Sequence, residues 1–214
     1  MSAKTAPTGK PRIPKKNLLL KQLHTWHWMS SAVAMIGLLL FAITGITLNH
    51  ASEIEGKPVV TPASAVMPAS LRRLLAPAGG ADTKKTLPPE VADWLASTLG
   101  ENAAGTAEWS ASEVYLPLPR PGGDGWIAID RTSGAVTSET TSRGWISYLN
   151  DLHKGRNTGT AWKWFIDIFA VACVVFAATG FFLLQLHSGR RPSTWPLVFA
   201  GLAIPVIIAV IFIH

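Results

Sequence analysis

Residues 23–50 read LHTWHWMSSAVAMIGLLLFAITGITLNH, and no Asp, Glu, Lys or Arg lies between Lys21 and Glu53. A helix needs about 20 apolar residues, at roughly 1.5 Å each, to cross some 30 Å of hydrocarbon. This stretch exceeds that, and Trp26 and Trp28 stand at its entrance as interfacial aromatics do. The run is longer than the apolar core of a signal peptide, and no A-x-A-like site directly follows it, so it is read as a retained helix.

Two more such runs occur. Residues 161–187 begin with Trp162 and Trp164 and carry Lys163 and Asp167 near their start, while residues 195–214 begin with Trp195 and contain Pro205. A short link, 188–194, joins them. The basic tail of residues 1–22 holds Lys4, Lys10, Arg12, Lys15, Lys16 and Lys21, and the link holds Arg190 and Arg191. Basic residues in short flanks stay cytoplasmic. The expected placement is therefore a bacterial inner (cytoplasmic) membrane, with the N-terminus inside and residues 50–160 and the C-terminus in the periplasm.

Composition agrees: 48% of residues are hydrophobic, 15% are charged, and the mean hydropathy is +0.27. The net charge of +6 flanks the apolar runs and forms no stripe, which argues against nucleic acid as a partner and for the lipid bilayer. The single Cys173 sits inside the second run and has no partner for an internal disulfide. No Walker, HExxH, Ser-His-Asp or paired-carboxylate arrangement is present, so hydrolase chemistry is not expected.

Residues 51–160 form the loop between the first two helices. Residues 51–87 are rich in Pro, Ala and Gly, with a short helix expected over 69–75. Pro88 opens a helix that Gly100 stops. Three strands follow, EVYLPLP (113–119), GWIAID (125–130) and AVTSETTS (135–142), separated by turns at Gly122–Gly125 and Thr132–Gly134. An amphipathic helix, GWISYLNDLH (144–153), leads back to the membrane. The fold class is thus a mainly α membrane protein: three transmembrane helices with a small α+β extracytoplasmic domain inserted between helices 1 and 2.

Particular motifs sharpen this. WIAIDRTSGAV (126–136) is similar to the D-x-x-[ST]-G-x-[LV] hairpin of PepSY domains. Leu23-His24-Thr25-Trp26, Thr44-Gly45-Ile46-Thr47-Leu48-Asn49-His50, Asp151-Leu152-His153-Lys154-Gly155-Arg156 with Gly159, and Thr179-Gly180 together resemble the PepSY-associated transmembrane helix family. Larger members of that family include haem-containing reductases of iron–siderophore complexes. They have four or more helices, so this three-helix chain reads either as an oxidoreductase or as its electron-transfer subunit. DRTSGAVT (130–137) is also similar to a covalent-flavin acceptor pattern. It carries Val136 where that pattern needs a hydroxyl, and flavin is not expected.

Six histidines occur, and all lie at the ends of the apolar runs: His24, His27 and His187 at the cytoplasmic face, His50, His153 and His214 at the outer face. Imidazoles on neighbouring helices ligate haem iron axially in electron-transfer centres. The expected cofactor is one or two haem b. The inner pair is His187 with His24 or His27, which share a helix face; the outer pair is His50 with His153 or His214. Arg190, Arg191 and Lys21 inside, and Arg156, Lys154 and Lys163 outside, are candidates to meet haem propionates. His27 and His50 are separated by about 34 Å along a straight helix, a long reach for direct transfer. Asp167 is a costly carboxylate inside an apolar helix, functional by default, with Lys163 as its candidate ion-pair partner.

The expected function is electron transfer across the membrane to a ferric complex or a partner redox protein, with a second subunit or a homodimer completing a thin cage. Two other readings stay open. One is a non-redox adaptor whose outer domain binds a partner protein through Trp126–Asp130. The other is a metal-ion-binding transport accessory using a three-histidine cluster.

Overall fold

The computed structural model describes residues 15–54, 56–76 and 82–213. They form two compact units, one from the residues up to Leu39 together with Asp167 onward, the other from Leu40 to Ile166. In chain order the elements are α1 (Lys15–Asn49), α2 (Ala51–Ile54), β1 (Val59–Val66), α3 (Ala69–Arg72) with a 3-10 turn at Arg73–Leu75, and β2 (Thr83–Thr86). Then come α4 (Pro89–Leu99), β3 (Thr106–Trp109), β4 (Glu113–Pro117), β5 (Gly123–Asp130) and β6 (Ala135–Ser142). The chain closes with α5 (Gly144–Lys154), α6 (Gly159–His187), a 3-10 turn at Ser188–Arg190, and α7 (Thr194–Phe212).

Three helices, Asn17–Asn49, Gly159–His187 and Thr194–Phe212, are long and apolar enough to cross a membrane. The link between the last two is forced by Pro192: the preceding Arg191 is extended (φ −142°, ψ 90°), as steric conflict with a following proline demands. In the first unit the covered positions of α1 are Leu20, Leu23, His27, Ser30, Ser31, Ala34 and Gly37, which recur every three or four residues and so share one stripe. Small residues on such a stripe let a second helix approach closely where lipid supplies no hydrophobic drive. A Cβ added at Gly37 would lie 2.3 Å from Cε2 of Phe169 on α6, so the phenyl ring occupies the space that glycine leaves. The buried Ser30 hydroxyl is satisfied by the Trp26 carbonyl at 2.7 Å.

The second unit is built on a six-stranded sheet in the order β1-β6-β5-β4-β3-β2, with every pairing antiparallel. One face is apolar. Trp109, Val114, Leu116, Ile127, Ile129 and Val136 point to it and pack with Val91 and Leu95 from α4 and with Met67, Leu75 and Leu87. Helix α4 begins on Pro89 and stops at Gly100, whose φ of 72° is open to glycine at low cost. The β5–β6 turn is closed by Asp130, whose Oδ1 accepts from the N–H of Thr132 (2.9 Å), the N–H of Ser133 (2.6 Å) and the Ser133 hydroxyl (2.8 Å). Those donors hold the Asp130 carboxyl below its ordinary value of 3.8, the Ser133 N–H contributing most. Arg131, next along, is buried. Its guanidinium donates to the carbonyls of Leu75 (2.7 Å), Ala76 (2.8 Å) and Ser110, and it lies over the Trp109 ring.

The sheet is larger than the three strands expected. β4, β5 and β6 lie where they were read, but β1, β2 and β3 join them. β1 falls inside the Pro/Ala/Gly-rich stretch, and its residues are exposed along nearly the whole strand, so no alternation of apolar and polar residues marks it. It pairs with β6 from Val59↔Ser142 to Val66↔Ala135, and as an edge strand it tolerates Pro62. β2, Thr-Lys-Lys-Thr, is the opposite edge; it is short, lysine-bearing and wholly exposed. The helix expected over 69–75 is α3 followed by the 3-10 turn.

Candidate functional site

Histidines occur in both units, and each unit is described by itself. In the second unit His153 lies in the last turn of α5. That helix is tied down by its neighbours in the motif. Buried Asp151 accepts the Gly122 N–H at 2.8 Å, and Asn150 accepts the Thr47 hydroxyl at 2.8 Å. The Leu152 carbonyl accepts the Trp162 indole at 2.9 Å, and Gly155 ends the helix at φ 65°.

The His153 ring faces the C-terminal part of α1. Its Nδ1 is 2.7 Å from Thr44 Oγ1, its ring centre is 4.8 Å from that of Phe41, and its Cε1 is 3.7 Å from where a Gly45 Cβ would lie. The Thr44 hydroxyl has one proton, and it is within 2.9 Å of the Leu40 carbonyl, an obligate acceptor. With its proton on the Leu40 carbonyl, the Thr44 oxygen is free to accept from His153 Nδ1–H, the arrangement that leaves Nε2 as the bare nitrogen. His50 is exposed, with Nδ1 3.1 Å from the Ile46 carbonyl.

The first unit repeats this arrangement with different elements. His27 of α1 is half-buried against α6. Its Nδ1 lies 3.1 Å from Thr179 Oγ1 and 3.2 Å from the Phe176 carbonyl, and its ring stacks on Phe176 at 4.7 Å and 15°. A carbonyl only accepts, so Nδ1 carries the proton here too. Thr179 gives its own proton to the Val175 carbonyl at 2.7 Å. A Cβ at Gly180 would lie 3.1 Å from His27 Cε1. His24 and His187 are exposed, each with Nδ1 2.8 Å from a carbonyl one turn back, Leu20 and Leu183 respectively. Their rings meet edge to face at 6.4 Å.

All five described histidines thus direct Nδ1 to an oxygen, and none has a hydrogen bond at Nε2 among the described residues. A metal-bound imidazole has this division of labour, one nitrogen anchored by the protein and the other left to the metal. The donor set fits haem iron. The first unit brings His24 to His187 and turns His27 toward Thr179 instead. No three His, Cys, Asp or Glu side chains gather closely enough to hold a metal ion among the described residues. His214 and the side chain of Arg190 lie outside the described residues. Arg156 and Arg191 are exposed, as a cation meeting a ligand carboxylate from outside has to be.

Asp167 is exposed on α6, and it takes part in neither of the ion pairs among the described residues, Lys84–Glu108 and Arg120–Glu101. Sequence reasoning named Thr44-Gly45 and Thr179-Gly180 only as motif ends. Their part as imidazole partners was signalled by a pentapeptide that occurs twice, Phe-Ala-Ile-Thr-Gly at 41–45 and Phe-Ala-Ala-Thr-Gly at 176–180.

The sequence profile of the PepSY_TM-like family matches residues 18–214. No curated protein and no solved structure is significantly similar to the chain.

Proposed function

The chain belongs to the PepSY_TM-like family, and on that premise we propose that it is a b-type haem membrane protein, passing electrons across the bacterial inner membrane to a periplasmic acceptor. The observation that carries the reading is the shared state of the imidazoles: Nδ1–H committed to oxygen, Nε2 uncommitted, in both units. The residues that would hold the groups are His24, His27 and His187 in the first unit, and His50 and His153 in the second. When bound, haem b supplies one-electron ferric/ferrous chemistry, and bis-imidazole ligation makes it a carrier that needs no bond rearrangement.

The protein residues do the rest. Phe41 and Phe176 cover one face of the pinned rings and shield them from water. Thr44 and Thr179 fix the rings' rotation. Arg156 and Arg191 are placed near their histidines in sequence, where guanidinium groups can pair with carboxylate substituents. The N-terminus and the α6–α7 link are assigned to the cytoplasm and the sheet unit to the periplasm on the strength of the basic flanks. An electron then enters from a cytoplasmic or quinol donor. It leaves to a ferric complex, reduced to ferrous, or to a redox protein.

The test is a reduced-minus-oxidised difference spectrum of the chain purified in detergent from haem-replete cells. Soret and α bands at one or two haems per chain are the expected result. A colourless protein under those conditions refutes the reading and leaves the outer domain as a protein-binding adaptor.

A further inference from the structure

The two Phe-Ala-x-Thr-Gly segments hold two different histidines in the same way. In each, the threonine oxygen sits at the imidazole Nδ1 (2.7 Å for His153, 3.1 Å for His27) and within hydrogen-bond reach of a main-chain carbonyl one turn back. The phenylalanine three residues earlier lies against the ring, at 4.8 Å and 4.7 Å between centres. The glycine that follows leaves the ring its room, more tightly at Gly180 than at Gly45. One helix face explains the spacing, because Phe and Thr three apart project side by side and Gly is the next position round. His24, His50 and His187 lack such a seat. Each is exposed and bonded only to a carbonyl of its own helix.

We infer that Phe41–Gly45 and Phe176–Gly180 are two copies of one imidazole clamp, and that they make His153 and His27 the fixed iron ligand of the second and first units. Thr44 and Thr179 are positioning residues: they set the tautomer before any ligand arrives, so Nε2 is presented as a lone pair. The exposed histidines supply the second ligand. The clamp itself is read from hydrogen bonds alone, while its use for iron rests on the haem reading above.

Nitrogen-15 NMR of histidine-labelled, haem-free protein in micelles, at a pH above about 8 where imidazoles are neutral, separates the two claims. His27 and His153, assigned by His→Asn variants, are expected as the Nδ1–H tautomer with bare Nε2. Thr179→Val should mix the tautomers of His27 alone, and Thr44→Val those of His153 alone, with Thr→Ser restoring each. Either ring in the Nε2–H form, or indifference to Thr→Val in a chain that keeps its helical circular dichroism, overturns the clamp whether or not haem binds.

The second measurement is haem titration. Losing the orienting partner of a ligating histidine weakens binding by about 10–100-fold. Each Thr→Val variant should show that loss for one haem, and His27→Ala and His153→Ala should each lose one haem outright. Retention of the full complement by His27→Ala or by His153→Ala overturns the ligand assignment. Correct tautomers in a protein that takes up no haem keep the clamp and refute the haem reading.

Discussion

Gly37→Ala tests whether the helical unit is held by close approach of α1 and α6. The added carbon would sit 2.3 Å from Phe169 Cε2 and 2.8 Å from Cζ, against about 3.5–4.0 Å for ordinary carbon contacts. The ring must therefore retreat by more than about 1 Å, or the helices must part by that much. Overpacking of this size costs about 1–3 kcal/mol, or roughly 5- to 150-fold in a folding constant. Because the obstacle is the end of one side chain, Phe169→Leu should relieve it. Phe169→Leu alone loses ring contacts at about 1 kcal/mol. The double variant should lie close to that single one, giving a coupling energy as large as the Gly37→Ala cost itself, about 1–3 kcal/mol. Reversible unfolding in mixed detergent micelles, followed by helical circular dichroism for all four proteins, measures the cycle. Strict additivity, or a neutral Gly37→Ala, refutes the argument that glycine is there to admit the ring.

In the sheet unit, Arg131→Met should destabilise the chain by roughly 3 kcal/mol, because three carbonyls, that of Leu75 buried, lose a charged donor at once. Arg131→Lys should restore only part, since an ammonium cannot reproduce the fork; denaturant unfolding of the full chain checks both. Asp130 has a folded pKa below its ordinary 3.8, so its turn contributes stability above that value and loses it as pH falls through the lower folded one. Melting temperatures between about pH 2 and 6 should show an acid-side slope that Asp130→Asn lowers and flattens; equal slopes in the two proteins refute it.

What the chain disclosed in one dimension follows how each element is stabilised. The membrane-length helices were legible because an uninterrupted apolar run satisfies hydrophobicity by itself, as residues 23–50 do. Helix α4 was legible from its terminal chemistry, Pro88 and Gly100, and α5 from the amphipathic pattern of residues 144–153. β5 and β6 alternate over the core and carry the Asp130 turn, whereas β1 and β2 owe their places to main-chain pairing on exposed edges, which leaves no side-chain signature. The histidines were legible as a set, from their position at the ends of apolar runs. That His27 turns to Thr179 while His24 meets His187 depends on which face of α1 meets α6, and two residues three apart on one helix do not declare that choice. The twofold pentapeptide did declare the threonines, but only as a coincidence of letters until the rings were seated on them.

The direction of the hydrogen bonds beneath those rings has one more consequence. Each runs from imidazole to hydroxyl to main-chain carbonyl, and a carbonyl has nothing to pass on. The chain of donors is a dead end for protons, with a phenyl ring against each imidazole. A ligand bound at Nε2 would find no proton relay leading away from the far side of the imidazole.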